Sequence, residues 1–531
     1  MAATLTQLLS EHAARAPGAT ALIYRDRPIT YHALDDESRR VAQAFKDLGV
    51  TQGDRVALWL PNTPGWVACL FACARLGAVA LATNTRFRSA EMDDILLRST
   101  PKLVVLWPGF RDIDFLGIIQ ALEPHALESL RGIVAYAEDG SAPLPHSIRG
   151  VPVFEYSRLI ERDPLAEDFA TPVSGCVMFT TSGTTKAPKF AVHSQASISV
   201  HAQDVASGFR YRERDTIALG VLPFCGVYGF ATLMAPLSAG VPLVIASRFR
   251  AEETLVRMQR YRITSLNLTG DMVAQLLESA NDERVFSTIR FCGCGTGAPQ
   301  QVGPAARLGL KIAGVYGSSE VQALFSRQDE NGPIPERAQG GGFPVAATAS
   351  IRVRDIPSGN LLPHGEPGML EMAAPSMLAA YFGDATATAA VLTCDGYLKT
   401  GDLGYTLGDG RFIYLARMGD ALRLSGFLVN PQQIEEVVLE HPSVAACQVV
   451  GAQGPNSIRP IAFVLLKPAA ALDEKAITAH CRKRMAPYKV PQRVIALDAF
   501  PLTNGPNGVK VRKARLREMA AELSGSAVAQ S

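Results

Sequence analysis

The chain has 531 residues, 47% apolar and 19% charged, which supports packed interiors, exceeds what one core usually serves and excludes a mainly disordered chain. Fifty-two basic against 50 acidic side chains leave a formal charge of +2, so no whole-chain field draws it to nucleic acid or anionic lipid. The start, MAATLTQLLSEHAARAPG, lacks a basic segment followed by an apolar one, and no run of about 18 apolar residues occurs, so neither secretion nor a membrane span is expected.

In chain order, the apolar runs RVALWL, KLVVLW, CVMFTT and GVPLVIA alternate with helix-like segments such as SRRVAQAFKDLG and EETLVRMQRYR. That alternation predicts layered α/β structure with largely buried strands. Length alone suggests roughly two to four structural units. Turn residues thicken at Leu407 to Gly410 and again near Gly419, after which the pattern restarts as strand (LRLSGFLV), helix (QQIEEVVLEH), strand (ACQVVGA) and a helix from Glu474. We therefore expect a large amino-terminal domain over 1–416, a hinge over 417–419 and a small α+β domain over 420–531. The nine cysteines are scattered without CxxC pairing, as suits reduced thiols, and the chain ends in AQS rather than a peroxisomal tripeptide, so a cytoplasmic protein is expected. Cys292 and Cys294 bracket one glycine, a spacing too thin to predict a metal.

One segment carries visible chemistry. In CVMFTTSGTTKAPKF a buried-type strand runs into a turn holding Thr181, Ser182, Gly183, Thr184, Thr185, Lys186 and Lys189. Small residues admit backbone N–H groups to an anion, hydroxyls donate to its oxygens and lysines neutralise it. The segment is not the P-loop of kinases, because GxxxxGK[ST] is absent. Taken alone it reads either as a phosphate cradle or as a polar surface turn.

Further along stand VYGSSE (Val315 to Glu320), LKTGD (Leu398 to Asp402), ARMGDALRLSGFLVNPQQIE (Ala416 to Glu435) and GVKVRKARL (Gly508 to Leu516). With ITYHAL near Ile29 and QGDRVALWLPNTPGW near Gln52, these resemble the AMP-forming adenylating superfamily of acyl-CoA synthetases, aryl-CoA ligases, luciferases and peptide-synthetase adenylation domains. The similarity spans nearly the whole chain, in the family's order. It implies the family's fold, a large domain of layered α/β subdomains followed by a small mobile α+β domain.

The resemblance also implies roles. The Thr181 to Lys189 turn would hold the β- and γ-phosphates of ATP, with Thr184 assisting catalysis, and Glu320 would bind the bridging Mg2+. Tyr316 would offer a face to adenine beside Gly317 and Ser319, with Gly297, Ala298 and Pro299 of GTGAP as the opposite wall. Asp402 would accept the ribose hydroxyls and Arg417 would add a contact. Lys510 would bridge the attacking carboxylate and the α-phosphate. Phe224, Gly226, Tyr228 and Gly317 would border the acyl pocket, and after a swing about Gly419 the loop at Ser425, Gly426 and Phe427 would approach the pantetheine arm of CoA.

The sequence departs from the family at several positions. TSGTTGxPKG is usual, but Lys186 and Phe190 replace its two later glycines; Phe190 demands an apolar neighbour and disfavours positive φ. Gly419 stands where Asp or Lys is common, Gly226 where histidine is frequent, and Val509 where glycine precedes the lysine. Gly226 either enlarges the pocket or packs beneath a neighbour. PFCGVYGF offers no carboxylate for a substrate ammonium, so an amino acid is not the expected substrate.

The leading expectation is an acid:CoA ligase using ATP, Mg2+ and CoA, with a small carboxylic acid whose identity the sequence does not disclose. Two alternatives stay open: a stand-alone adenylating enzyme that loads an acyl carrier protein, with Lys489 and Arg493 as contacts for CoA phosphates or an acidic carrier, and a weakly active nucleotide-binding homologue with a regulatory role.

Overall fold

In the computed structural model of the chain, residues 4–138, 144–181, 188–280, 282–295, 299–420, 422–424, 427–453, 458–505 and 508–528 are described. The chain forms two units, one of residues 1–351, 372–398 and 408–413, the other of 352–371, 399–407 and 414–531.

The first unit is built from strands buried on both faces. In Arg55–Trp59 the alternate residues Val56 and Leu58 join one apolar cluster while Ala57 and Trp59 join another, the period-two consequence of a pleated strand. Among the described residues this strand belongs to a nine-stranded sheet, in the order Ala380–Tyr381, Phe190–Ser194, Gly175–Thr180, Val79–Ala82, Arg55–Trp59, Leu103–Leu106, Gly132–Ala135, Val151–Glu155 and Ser147–Ile148. A second sheet of this unit sets Ala218–Gly220, Ser265–Leu268, Phe291–Cys294 and Ile312–Ser318 side by side in parallel.

The helix Pro64–Leu76 packs against the strands Arg55–Trp59, Val79–Ala82 and Gly175–Thr180 of the nine-stranded sheet and is buried at every residue. Thr63 caps its start and accepts from Trp66 N–H, proline opens its first turn, and Gly77 at φ +66° ends it. Its one charge, Arg75, is fully buried and is compensated by Asp35 at 2.6 Å and Asp168 at 2.9 Å.

In the second unit the strands Val444–Gln453, Ile458–Leu466 and Arg493–Ala496 form a sheet with helices on both faces. Cys447, Val449, Ala462 and Val464 pack with Ile434, Val438, Ile477 and Cys481 of two helices, whereas Val450, Ala452, Ile461 and Phe463 pack with Leu516 and Ala520 of the helix Lys513–Val528. The run LRLSGFLV, expected as one strand, is instead an antiparallel pair, Leu422–Leu424 and Phe427–Val429. Its Ser-Gly dipeptide is the kind of signal that reverses a chain.

Of the nine cysteines, eight are buried and Cys394 is exposed, and none is in a disulfide. Among the described residues no helix is long and apolar enough to cross a membrane.

Candidate active site

The strand Gly175–Thr180 ends at the Ser/Thr/Lys-rich turn, and Phe190–Ser194 returns antiparallel to it. Two bonds close the neck: Thr181 N–H donates to the Lys189 carbonyl at 2.8 Å, and Lys189 N–H donates to Thr181 Oγ1 at 3.2 Å. Ser182, Gly183, Thr184, Thr185 and Lys186 lie outside the described residues. Phe190 is a strand residue 1% exposed, paired with Thr180, clustered with Met178 and capped by Arg98, whose guanidinium carbon sits 4.4 Å from the ring centroid. Phe190 thus meets the apolar neighbours it demands and needs no positive φ.

The VYGSSE segment turns between the strands Ile312–Ser318 and Gln322–Arg327. Glycine is required at 317, because a Cβ there would lie 2.4 Å from the Gln322 carbonyl oxygen and 2.5 Å from Ala323 Cα. Gln322, whose carbonyl lies closest to that position, is itself at φ +65°. Ser319 and Glu320 project from this turn. Tyr381 Oη donates to Glu320 Oε1 at 2.8 Å, and the Lys189 ammonium lies 4.8 Å from the Tyr381 ring centroid. One tyrosine therefore touches both the lysine at the neck of the turn and the carboxylate of Glu320.

Neither Tyr381 nor His193 was singled out in the sequence. His193 is fully buried, and its Nε2–H donates to the Ser319 carbonyl at 2.7 Å. Burial pulls its pKa down to about 4 against the Ser319 bond and the Glu320 charge, so the ring is neutral at pH 7 and the carbonyl partner assigns the proton to Nε2. A histidine ending an apolar run was the available signal.

Tyr316 is buried with its ring edge-on to Phe412 at 5.2 Å and to Phe325 at 6.3 Å. Gly226 is the residue before the helix Val227–Ala239, in extended backbone, between buried Phe224 and Tyr228. Tyr228 Oη points at two carbonyls, those of Gly293 at 3.2 Å and Leu268 at 3.3 Å, at the ends of adjacent strands. Pro299 opens the helix Pro299–Arg307, and Gly297 and Ala298 lie outside the described residues.

In the second unit, Asp402 is buried and Arg417 Nη1 donates to its Oδ1 at 2.9 Å and to the Thr400 carbonyl at 2.7 Å. Gly401 at φ +70° makes the bend, and its carbonyl accepts from Met418 N–H at 2.9 Å. Downstream, Arg517 of the last helix donates to the Gly419 carbonyl at 2.7 Å and also to the Asp420 carboxylate. Among the described residues, a Cβ at Gly419 would meet no atom within 4 Å. Lys510 pairs with Thr503 in the hairpin of Leu502–Gly505 and Gly508–Val511, and Phe427 opens a strand, while Ser425 and Gly426 lie outside the described residues.

Comparison with known proteins decides the family. The AMP-binding enzyme family matches residues 9–382, and the AMP-binding enzyme C-terminal domain matches 433–505. The chain belongs to the AMP-binding enzyme family. An indoleacetate–CoA ligase of Aromatoleum aromaticum is 29% identical to this AMP-binding enzyme over 97% of the chain and 98% of the relative. The fatty acid–[acyl-carrier-protein] ligase ScoC of Streptomyces coeruleorubidus is also 29% identical, over 97% of this chain and 96% of its own length. ATP-bound MatB from Rhodopseudomonas palustris has the same fold, with a TM-score of 0.84, 23% identity and coverage of 98% of this AMP-binding enzyme and 99% of that chain.

Proposed function

We propose that this chain is an ATP-dependent acid:CoA ligase, which joins a carboxylic acid to AMP with release of pyrophosphate and then passes the acyl group to CoA. The observation that carries this reading is the contact line Lys189, Tyr381, Glu320, which sets a cation and a carboxylate about one aromatic side chain beside a turn rich in hydroxyls. Such a pairing suits a triphosphate that arrives with a divalent cation: the lysine and hydroxyls address phosphate oxygens, and the carboxylate addresses the metal.

The chemistry at Glu320 fits Mg2+. Tyr381 occupies Oε1, and among the described residues Oε2 accepts no hydrogen bond. No group of three or more His, Cys, Asp or Glu side chains that could hold a metal occurs among the described residues, so most ligands would come from phosphates and water. Bound with ATP, the ion would neutralise charge on the phosphates.

In the reaction the carboxylate of the acid attacks the α-phosphorus, and pyrophosphate leaves. Two anions must meet, so donors have to be aimed at the developing charge. Lys510 takes that role, Asp402 accepts from the ribose hydroxyls, and Arg417 orients Asp402. For the second step the segment 420–531, which bears Lys510, rotates about 417–419 and presents residues 425–427 to the thiol of CoA, which attacks the acyl carbonyl and releases AMP.

Acid-dependent exchange of labelled pyrophosphate into ATP, screened across aromatic, medium-chain and branched acids, tests the first step and finds the substrate. Lys510→Ala should lower it by ~100- to 1,000-fold. Exchange near the wild-type rate in that variant would refute the role of Lys510, and no exchange with any acid would refute the activity. A second acceptor, an acyl carrier protein, is favoured by one observation, the similarity to ScoC. Acid-dependent AMP release that rises with CoA supports the ligase reading, and release that rises only with a carrier protein supports the other.

A further inference from the structure

The turn that bears Glu320 is held from below by buried side chains that no part of the reaction above uses. His193 Nε2–H donates to the Ser319 carbonyl at 2.7 Å, His201 Nε2–H donates to the Ala323 carbonyl at 2.7 Å, and Gln322 Nε2 donates to the Ser197 carbonyl at 3.1 Å. The Glu320 backbone is fixed from the other side, where its carbonyl accepts from Leu378 N–H at 2.7 Å. Both histidines are within 2% of complete burial, and among the described residues the Nδ1 atom of each has no partner.

Burying an imidazole while leaving one ring nitrogen unsatisfied is costly, and an apolar residue of similar size would avoid the penalty. The penalty is compensated at Nε2, where each ring reaches a carbonyl more than a hundred residues away in sequence: the separation is 126 for His193 and 122 for His201. His193 has the more informative position. It lies on the strand Phe190–Ser194, which begins immediately after Lys189, and its acceptor is the peptide oxygen immediately before Glu320.

We propose that His193 is a positioning residue for Glu320, a rigid strut that ties the strand leaving the Thr181–Lys189 turn to the peptide that aims the Glu320 carboxylate. The inference rests on the reading of Glu320 as the carboxylate that meets the metal of metal–ATP. Glu320 has side-chain freedom of its own, and Tyr381 restrains only one of its oxygens. The strut restrains its backbone. With both in place, the distance between the phosphate turn and the carboxylate is set by a strand and one imidazole, neither of which can stretch.

The required chemistry is a donor at the reach of Nε2. Glutamine places its amide nitrogen close to that position, asparagine stops short of it, and leucine fills space without donating. Binding of Mn2+ to the enzyme in the presence of ATP and the absence of acid, followed by electron paramagnetic resonance, reads the carboxylate's placement without turnover. We expect His193→Leu and His193→Asn to weaken Mn2+ binding and to raise the KM for metal–ATP, each roughly tenfold, the factor that one net hydrogen bond is worth. His193→Gln should restore both to within about threefold of wild type, the remainder being the weaker packing of an amide relative to an imidazole.

Unchanged Mn2+ binding in His193→Leu would overturn the proposal. So would a loss in His193→Leu that His193→Gln fails to repair, because the ring would then matter for its shape and not for its donor. If the leucine variant does not fold, the asparagine and glutamine pair decides in the same way. Glu320→Gln is run alongside: weak Mn2+ binding there with normal binding in His193→Leu refutes the strut alone, whereas normal binding in Glu320→Gln refutes the underlying role of Glu320 and the strut with it.

Discussion

One nitrogen of Arg417 meets both Asp402 and its neighbour: Nη1 donates to the carboxylate at 2.9 Å and to the Thr400 carbonyl at 2.7 Å. The Arg417 side chain is 50% exposed and the Asp402 side chain 6%, so the arginine covers a carboxylate that is otherwise buried. If Asp402 accepts from the ribose hydroxyls, Asp402→Ala should raise the KM for ATP by at least about tenfold while leaving the KM for the acid nearly unchanged, because a site built to pair a hydroxyl discriminates strongly when its partner is lost. Pyrophosphate exchange measured against each substrate in turn separates the two.

Restoring the family's glycine at position 190 should harm this protein. Phe190 is 1% exposed within the cluster of Met178 and Phe87 and beneath Arg98, so Phe190→Gly opens a cavity. Truncations of this kind typically cost about 3–5 kcal/mol. A thermal melt should show a Tm lowered by several degrees, and an unchanged or raised Tm would mean that the ring contributes nothing to packing.

Gly317→Ala tests the turn from the backbone side. The added methyl would meet the Gln322 carbonyl at 2.4 Å and Ala323 Cα at 2.5 Å, both main-chain atoms that cannot rotate away. The turn has to shift, and Glu320 with it. Pyrophosphate exchange should fall by at least about tenfold, the effect of misplacing one aimed group by a fraction of an ångström. Activity close to wild type would show that the turn absorbs the change without moving the carboxylate.

Rotation about 417–419 predicts unequal effects on the two half-reactions. Arg517 fastens the Gly419 carbonyl and the Asp420 carboxylate, so the torsional freedom available for a swing is concentrated at or before Gly419. Gly419→Pro locks φ near −65° and should favour one orientation. Pyrophosphate exchange and CoA-dependent acyl transfer should then change by different factors, and equal changes would count against a swing. Arg517→Ala releases the fastening and should shift the same ratio by a smaller factor.

Stability of the second unit should depend on acid through Glu371, a fully buried carboxylate bonded by Arg352 and Arg354, each at 2.6 Å. Burial raises its pKa, but the bonds from Arg354 and Arg352 outweigh burial and hold it below the usual 4.5. A depressed folded pKa contributes stability above the unfolded value and loses it as pH falls through the folded one. Denaturant melts should therefore show stability declining once the pH drops below about 4.5, and Glu371→Gln should be less stable at neutral pH with a shallower decline.

The buried strands were legible because a strand covered on both faces reads as an unbroken apolar run, as RVALWL and CVMFTT do. The motif residues stood out because their types are those a triphosphate and a ribose would demand. Tyr381 and His193 were not, for a physical reason: each acts on an element distant in sequence, Tyr381 on Glu320 across 61 residues and His193 on Ser319 across 126. A single chain gives no measure of such distances. LRLSGFLV misled because its apolar residues suit one strand or an antiparallel pair equally well.

The distribution of sulfur has a practical consequence. Eight thiols are sealed inside the two units, while Cys394, in the first unit, faces solvent. A maleimide dye should therefore attach at one native point without prior removal of the others. A single introduced cysteine on the surface of the second unit would complete a donor–acceptor pair for single-molecule energy transfer, and the traces would report directly how many orientations the two units visit as nucleotide, acid and thiol are added.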